Sequence, residues 1–253
     1  LLQSYDFAVL NQRYGCTIQI GGSDQWGNIT AGIDLVRRMG GGQAYGLTYP
    51  LVTKADGTKF GKTSGGAIWL DADKTSPYGF YQFWLNTADP DALPFIHKFT
   101  FLETQEIAAL AKQHEDNPGQ RAAHLALAQE MTRLVHGEAG LQAAESITDA
   151  LFNARLDALS ESDLAQLALD GMETSTMNEP SLVDALVTSG LAKTPKGEVT
   201  PGQARKLIKS NSVSVNGVKA DDTDQVLHKS DALFGKYFVL QKGKKHHHLV
   251  LVD

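Results

Sequence analysis

Cys16-Thr-Ile-Gln-Ile20, followed by Gly21-Gly22-Ser23-Asp24-Gln25-Trp26-Gly27-Asn28, is the stretch that decides the fold. An apolar run of strand length gives way to a glycine turn. Ile29, Ile33, Leu35 and Val36 then return at helical spacing, with Asn28 or Thr30 available as a cap. Strand, glycine turn and helix in that order make an α/β unit. Upstream, Leu2, Tyr5, Val9 and Leu10 predict a helix over residues 2 to 14, closed by Gly15 as a left-handed cap. Downstream, a second strand is expected at 47 to 53, a polar loop from Lys54 to Gly66, and an apolar strand at 67 to 70. Residues 1 to 75 are thus expected to form one α/β portion.

Ser76 before Pro77 marks a helix start, and apolar residues at three and four spacing predict helices over 77–86, 91–98, 104–114, 119–136 and 138–152. Ser160 with Asp163 has the form of a capping box, and His136 stands where it could bond the last carbonyls of a helix. Residues 76 to 170 therefore read as a helical domain. The polar segment 171 to 180 reads as a linker. Residues 181 to 253 read as a small α+β module able to fold alone, with helices at 181 to 190 and from Pro201, a strand at Val213 to Val215, the tight turn Asn216-Gly217, and a final hairpin at 237–241 and 247–252.

With 42% hydrophobic and 21% charged residues, the composition is that of an ordinary globular chain. No apolar run approaches the roughly 20 residues that span a bilayer, and no leader is recognisable, so a cytoplasmic location is expected. The single cysteine, Cys16, is expected to be a small buried hydrophobe. Charge divides the chain. Residues 1–179 hold 12 Lys+Arg against 22 Asp+Glu, a net −10, whereas residues 180–253 hold 11 against 7, a net +4. A basic tail on an acidic body points to a polyanion-binding module.

Lys54-Ala-Asp-Gly-Thr-Lys59-Phe-Gly-Lys62-Thr63 sets two lysines three apart in a glycine-containing loop with a hydroxyl. Flexible ammonium groups can follow the charge that builds on a leaving pyrophosphate. Upstream, Asp24 stands beside the glycine turn, where a carboxylate can bond a ribose hydroxyl. Gln3 and Asp6 share one face of the first helix. In the tail, Arg205, Lys206 and Lys209 lie within about one helical turn, with Lys242, Lys244 and Lys245 in the hairpin. His246 to His248 continue into Leu249-Val-Leu251 and read as alternating strand residues rather than metal ligands.

Together these motifs resemble the bacterial-type tyrosyl branch of the class I aminoacyl-tRNA synthetases. The lysine loop is similar to their Lys-Phe-Gly-Lys-Thr signature, Gly21 to Asn28 to their ribose- and amino-acid-binding segment, and Gly202 to Ile208 with Val213 to Gly217 to the RNA-binding domain first named from a small-subunit ribosomal protein. The resemblance implies the second part of a Rossmann-like catalytic domain, then a helical domain and the RNA-binding domain. It implies Gln3, Asp6 and Gln25 on tyrosine, and Gly22, Asp24, Leu51, Val52 and Lys62 on ATP. It implies Lys59, Lys62 and Thr63 as catalytic residues on the phosphates, and Arg205, Lys206, Lys209, Lys242, Lys244 and Lys245 on tRNA(Tyr). ATP enters with Mg2+ as a substrate complex, with no tightly bound cofactor or protein metal site, and family members are homodimers.

The family's paired-histidine signature His-x-Gly-His is absent, and Leu1-Leu2-Gln3 reads as mid-helix. The chain is therefore expected to be a carboxy-terminal fragment, inactive alone. Two other readings remain: a non-catalytic RNA-binding protein derived from a synthetase, for which the retained lysines, Asp24 and Asp6 would have no use, and a tryptophanyl-type enzyme, which would not need Asp6 or the tail.

Overall fold

Helix α1 (Leu2–Tyr14) ends where Gly15 takes the left-handed conformation, and its Phe7 and Ala8 are buried against α2 (Trp26–Arg38). This computed structural model describes residues 2–58, 60, 67–153, 155–194, 196–243 and 246–252. It divides into two units, Leu1–Ala67 and Ile68–Asp253. In the first, β1 (Ile18–Gly22) and β2 (Tyr45–Tyr49) pair in parallel, from Ile18 opposite Tyr45 to Gly22 opposite Tyr49, with α2 as the crossover. Val36 joins Phe7 and Ala8 in a small core, flanked by Ile33, Leu35 and Cys16. Cys16 is only half-buried there, at the rim of the core rather than inside it.

Three local expectations shift. β1 begins two residues later than expected and runs through Gly21-Gly22, because parallel pairing with Thr48 and Tyr49 uses backbone groups and needs no side chain. Neither Asn28 nor Thr30 caps α2, which continues directly from a 3-10 turn at Ser23–Gln25; Thr30 Oγ1 donates back to the Trp26 and Gly27 carbonyls at 2.9 and 3.1 Å. The second strand lies at 45–49, not 47–53, and residues 67–70 form no strand: Ile68, Trp69 and Leu70 are exposed.

In the second unit, Ser76 caps α3 (Pro77–Leu85), its hydroxyl accepting from Gly79 N–H at 2.9 Å. Then come α4 (Asp89–Phe99), α5 (Thr104–Asp116) and α6 (Ala122–Asn153), the last broken at Gly137, where two helices were expected. Phe80, Trp84, Phe95 and Phe99 interlock edge to face across α3 and α4. Among the described residues His136 makes no capping bond: its ring stands edge-on to Phe80, 4.9 Å between centroids, and burial pulls its pKa below the usual imidazole value. The Ser160–Asp163 capping box does open α7 (Glu161–Gln166), which runs into a single π turn at Leu167–Gly171.

The supposed linker is structural. Residues 174–177 form β3 (Thr174–Met177), followed by α8 (Leu182–Thr188), α9 (Pro201–Lys209), β4 (Val213–Val215), β5 (Val218–Lys219), β6 (Tyr237–Lys242) and β7 (His246–Val252). Among the described residues the sheet runs β3-β7-β6-β4-β5, with β3 parallel to β7 and the other pairs antiparallel. Side-chain alternation splits its interior. Phe238, Leu240, Val250 and Val252 pack with Leu182, Leu186, Leu207 and Ile208 of α8 and α9. Tyr237, Val239 and Leu249 face the other way, into a core with Tyr78, Ile147, Leu164 and Leu167. The tail is therefore not a free-standing module after a linker; it shares a core with the helices before it. No helix of the described residues is long and apolar enough to cross a membrane.

Candidate functional site

Parallel strands bring the loops after their carboxy-terminal ends to one edge, the usual place for ligands in α/β sheets. β1 ends at Gly22 and β2 at Tyr49, opposite each other, so the turn Ser23–Gln25 and the segment from Pro50 leave side by side. A Cβ on Gly22 would lie 2.8 Å from Asp24 Oδ1 and 2.8 Å from Leu51 Cδ2. A side chain there would have to push the Asp24 carboxylate or the Leu51 side chain aside. Gly22, Asp24 and Leu51 thus form one small cradle, a carboxylate on one wall and an apolar group on the other. Gln25 adjoins it, its Nε2 3.4 Å from Asp24 Oδ2 and its Oε1 accepting from Asn28 Nδ2 at 3.0 Å.

The lysine loop leaves the same edge. Lys54 N–H and Thr58 C=O bond at 2.9 Å, Gly57 N–H returns to Lys54 C=O, and Phe60 N–H reaches Val52 C=O at 3.0 Å. Asp56 closes the turn, accepting from Thr58 N–H at 2.9 Å and Thr58 Oγ1 at 2.6 Å, and those bonds hold its carboxyl below the usual range. Asp56 was missed from sequence, although Asp-Gly-Thr is a common turn signal. Lys59, Lys62 and Thr63 lie outside the described residues.

Asp6 is exposed and Gln3 half-buried on α1. Among the described residues no hydrogen bond joins either to the cradle. Gln19 was also missed. It lies on β1 with a buried amide oxygen that has no partner among the described residues, beside Gly32 and Phe7 at the seam of α1 and α2.

In the second unit, α9 buries Ala204, Leu207 and Ile208 and exposes Arg205, Lys206 and Lys209. Gly243 N–H bonds Ser212 C=O at 3.2 Å, so the hairpin turn adjoins the end of this helix. Lys242 departs from expectation: it is half-buried and its ammonium donates to Leu191 C=O at 2.8 Å, which makes it first a structural tie. It lines a polar cleft with Lys193, Gln203 and His247. Lys244 and Lys245 lie outside the described residues. His248 Nε2 stands 3.0 Å from Ser175 Oγ across the β3–β7 pair, as a strand residue should.

Residues 1–153 match the family model described as tRNA synthetases class I (W and Y). The chain belongs to that family. Residues 163–250 match a second model, the tyrosine–tRNA ligase SYY-like C-terminal domain. This class I synthetase chain is 57% identical over 247 residues to a tyrosine–tRNA ligase of Aliivibrio fischeri (strain MJ11), and 53% identical over 251 residues to one of Escherichia coli (strain K12 / DH10B). Those alignments cover 97% and 99% of this chain but 57% and 58% of the relatives, so the chain spans somewhat more than half their length. A solved structure of a C-terminally truncated Aspergillus nidulans mitochondrial tyrosyl-tRNA synthetase is 31% identical, over 60% of this chain and 45% of that one, with a TM-score of 0.49.

Proposed function

We propose that this chain is the carboxy-terminal part of a tyrosine–tRNA ligase and carries the second half of its active site. The observation that supports the reading best is the Gly22–Asp24–Leu51 cradle at the ends of β1 and β2, with the lysine loop leaving the same edge. In this reading Asp24 takes the ribose hydroxyls of ATP while Leu51 and Val52 lie against the base. Gln3, Asp6 and Gln25 hold tyrosine, and the Asp6 carboxylate accepts the phenolic hydroxyl.

The tyrosine carboxylate attacks the α-phosphate of ATP, forming the acyl-phosphate bond of tyrosyl-adenylate as pyrophosphate departs. Lys59, Lys62 and Thr63 stabilise the leaving charge, and magnesium enters bound to ATP. The terminal ribose of tRNA then attacks the acyl carbon and releases AMP. Arg205, Lys206 and Lys209 meet tRNA phosphates from α9. The helices of residues 76–170 and the α+β tail act together as the RNA-binding body, and the full-length protein pairs as a homodimer in the cytoplasm.

The test is tyrosine-dependent exchange of labelled pyrophosphate into ATP, in the protein at the length of its relatives. Exchange driven by tyrosine and not by tryptophan is expected. Lys62→Ala should slow adenylate formation by roughly 10² or more while changing ATP affinity much less, the order lost with one preorganised charge-stabilising group. Exchange driven by tryptophan, or none with any amino acid, would overturn the reading.

A further inference from the structure

Asn28 takes no part in capping α2, and its side chain goes elsewhere. Its Nδ2 donates to Gln25 Oε1 at 3.0 Å, and Gln25 Nε2 stands 3.4 Å from Asp24 Oδ2. The three side chains form one short line at the start of α2, ending on the carboxylate wall of the cradle. The other Asp24 oxygen, Oδ1, is the one that a Cβ on Gly22 would meet at 2.8 Å. The carboxylate therefore turns one oxygen to Gln25 and the other to the glycine turn.

The Gln25 backbone is held where the turn Ser23–Gln25 runs into α2, with Trp26 N–H returning to Ser23 C=O. What the backbone leaves open is the direction of the amide. A carboxamide rotated by half a turn exchanges its donor for its acceptor with almost no change of shape, so its neighbours decide which end points where. A carboxylate only accepts, so Asp24 admits Nε2 and rejects Oε1. Asn28 then faces Oε1 and must offer an N–H, which an asparagine can do and an aspartate cannot. At 3.4 Å the Asp24 contact is long, and the 3.0 Å bond from Asn28 is the firmer hold. Gln25 is half-buried while Asn28 and Asp24 are exposed, so the line is not there to satisfy a buried polar group.

From this line we infer that Asn28 is a positioning residue for the substrate subsite of Gln25, locking the Gln25 amide with its N–H end toward Asp24. The inference rests on the proposed placing of tyrosine at Gln25 and of the ribose at Asp24. A released amide presents either end to the substrate, so binding of tyrosine weakens while the rate of the bound complex changes less.

The experiment uses the protein at the length of its relatives and measures tyrosine affinity and the single-turnover rate of tyrosyl-adenylate formation per titrated active site, with urea midpoints alongside. Asn28→Ala is expected to weaken tyrosine binding by roughly threefold, the order of one exposed hydrogen bond. Asn28→Asp, almost the same shape, weakens it by roughly tenfold or more, because its carboxylate repels Oε1, draws Nε2 round and leaves Oε1 against Asp24. A role in building the helix alone gives the opposite order, since an acidic side chain in the first turn of α2 favours the helix. Both substitutions lose their effect on tyrosine beside Gln25→Ala, because Asn28 acts through that amide, whereas a plain charge effect of the new carboxylate persists there. Tyrosine affinity unchanged in both variants, Asn28→Asp binding tyrosine as well as Asn28→Ala or better, or an undiminished effect beside Gln25→Ala overturns the inference. A wild-type protein that forms no tyrosyl-adenylate overturns the proposed function first.

Discussion

The two units each hold a β-sheet, and they treat its faces in opposite ways. The sheet of the second unit is closed on both sides: Phe238, Leu240 and Val250 are buried under α8 and α9, Val239 and Leu249 under the preceding helices. Among the described residues of the first unit, its parallel pair is covered on one side only. Ile18, Ile20, Tyr45, Leu47 and Tyr49 alternate along β1 and β2 and are all more than half exposed. Parallel sheets are ordinarily covered on both faces, because their backbone and apolar side chains leave neither side suited to water. The closed sheet is buried on both faces, and the half-covered one presents a row of apolar side chains to solvent. Gly22, Asp24 and Leu51 lie at the carboxy-terminal ends of the strands of the half-covered sheet.

The comparison breaks most readily by placing the same charge on both sheets. Val239→Asp should cost about 4 kcal/mol or more in urea unfolding, because it strands a carboxylate in a fully buried core. A cost near that of a surface substitution would mean that the sheet is not closed.

Acid should sharpen the contrast with a smaller effect. Burial is the first cause that pulls His124, His136 and His248 of the second unit below the usual imidazole value of 6.5. His124 is fully buried, 3.1 Å from an Asp89 carboxylate oxygen and with its ring against that of His114; nearby Arg121 further disfavours its proton. With a depressed folded value, the unfolded chain takes up the proton first as pH falls past 6.5. Stability is therefore full above that pH, falls as pH drops toward the folded value, and levels off below it. The urea midpoint of the second unit should decline from about pH 7 to about pH 5, and His124→Gln should flatten part of the decline. A midpoint rising toward acid would contradict the burial of these rings.

The smallest effect belongs to the half-covered sheet. Leu47→Asp in this chain should change stability by no more than about 0.5 kcal/mol, as an exposed substitution does. The same change at the relatives' full length should cost several times more, and equal costs would mean that the face stays bare.

Much of this was legible in the sequence where the signal was local. Gly15 ending α1, Ser76-Pro77 opening α3, the Ser160–Asp163 box and the Asn216-Gly217 turn all stand as read, since each is chemistry between near neighbours. Failures came where pairing is distant. Thr174–Met177 is too polar to look like a strand, and becomes one because β7 offers it an edge. Residues 67–70 looked apolar enough for a strand and found no partner strand. The proposed site residues Gly22 and Asp24 and the lysine loop stand in local motifs, whereas the Ser76–Asp170 hydrogen bonds join residues 94 apart and leave no pattern.

In the proposed function α1 reads the substrate through Asp6, and discrimination between tyrosine and phenylalanine tests that role most directly. An ionised carboxylate with nothing to accept is a penalty that only the amino acid without a hydroxyl incurs. In the protein at the length of its relatives, activation should be measured with both amino acids for wild type and Asp6→Ala. The account predicts that Asp6→Ala weakens activation of tyrosine far more than that of phenylalanine, narrowing the ratio between them. Equal losses for the two amino acids would contradict it.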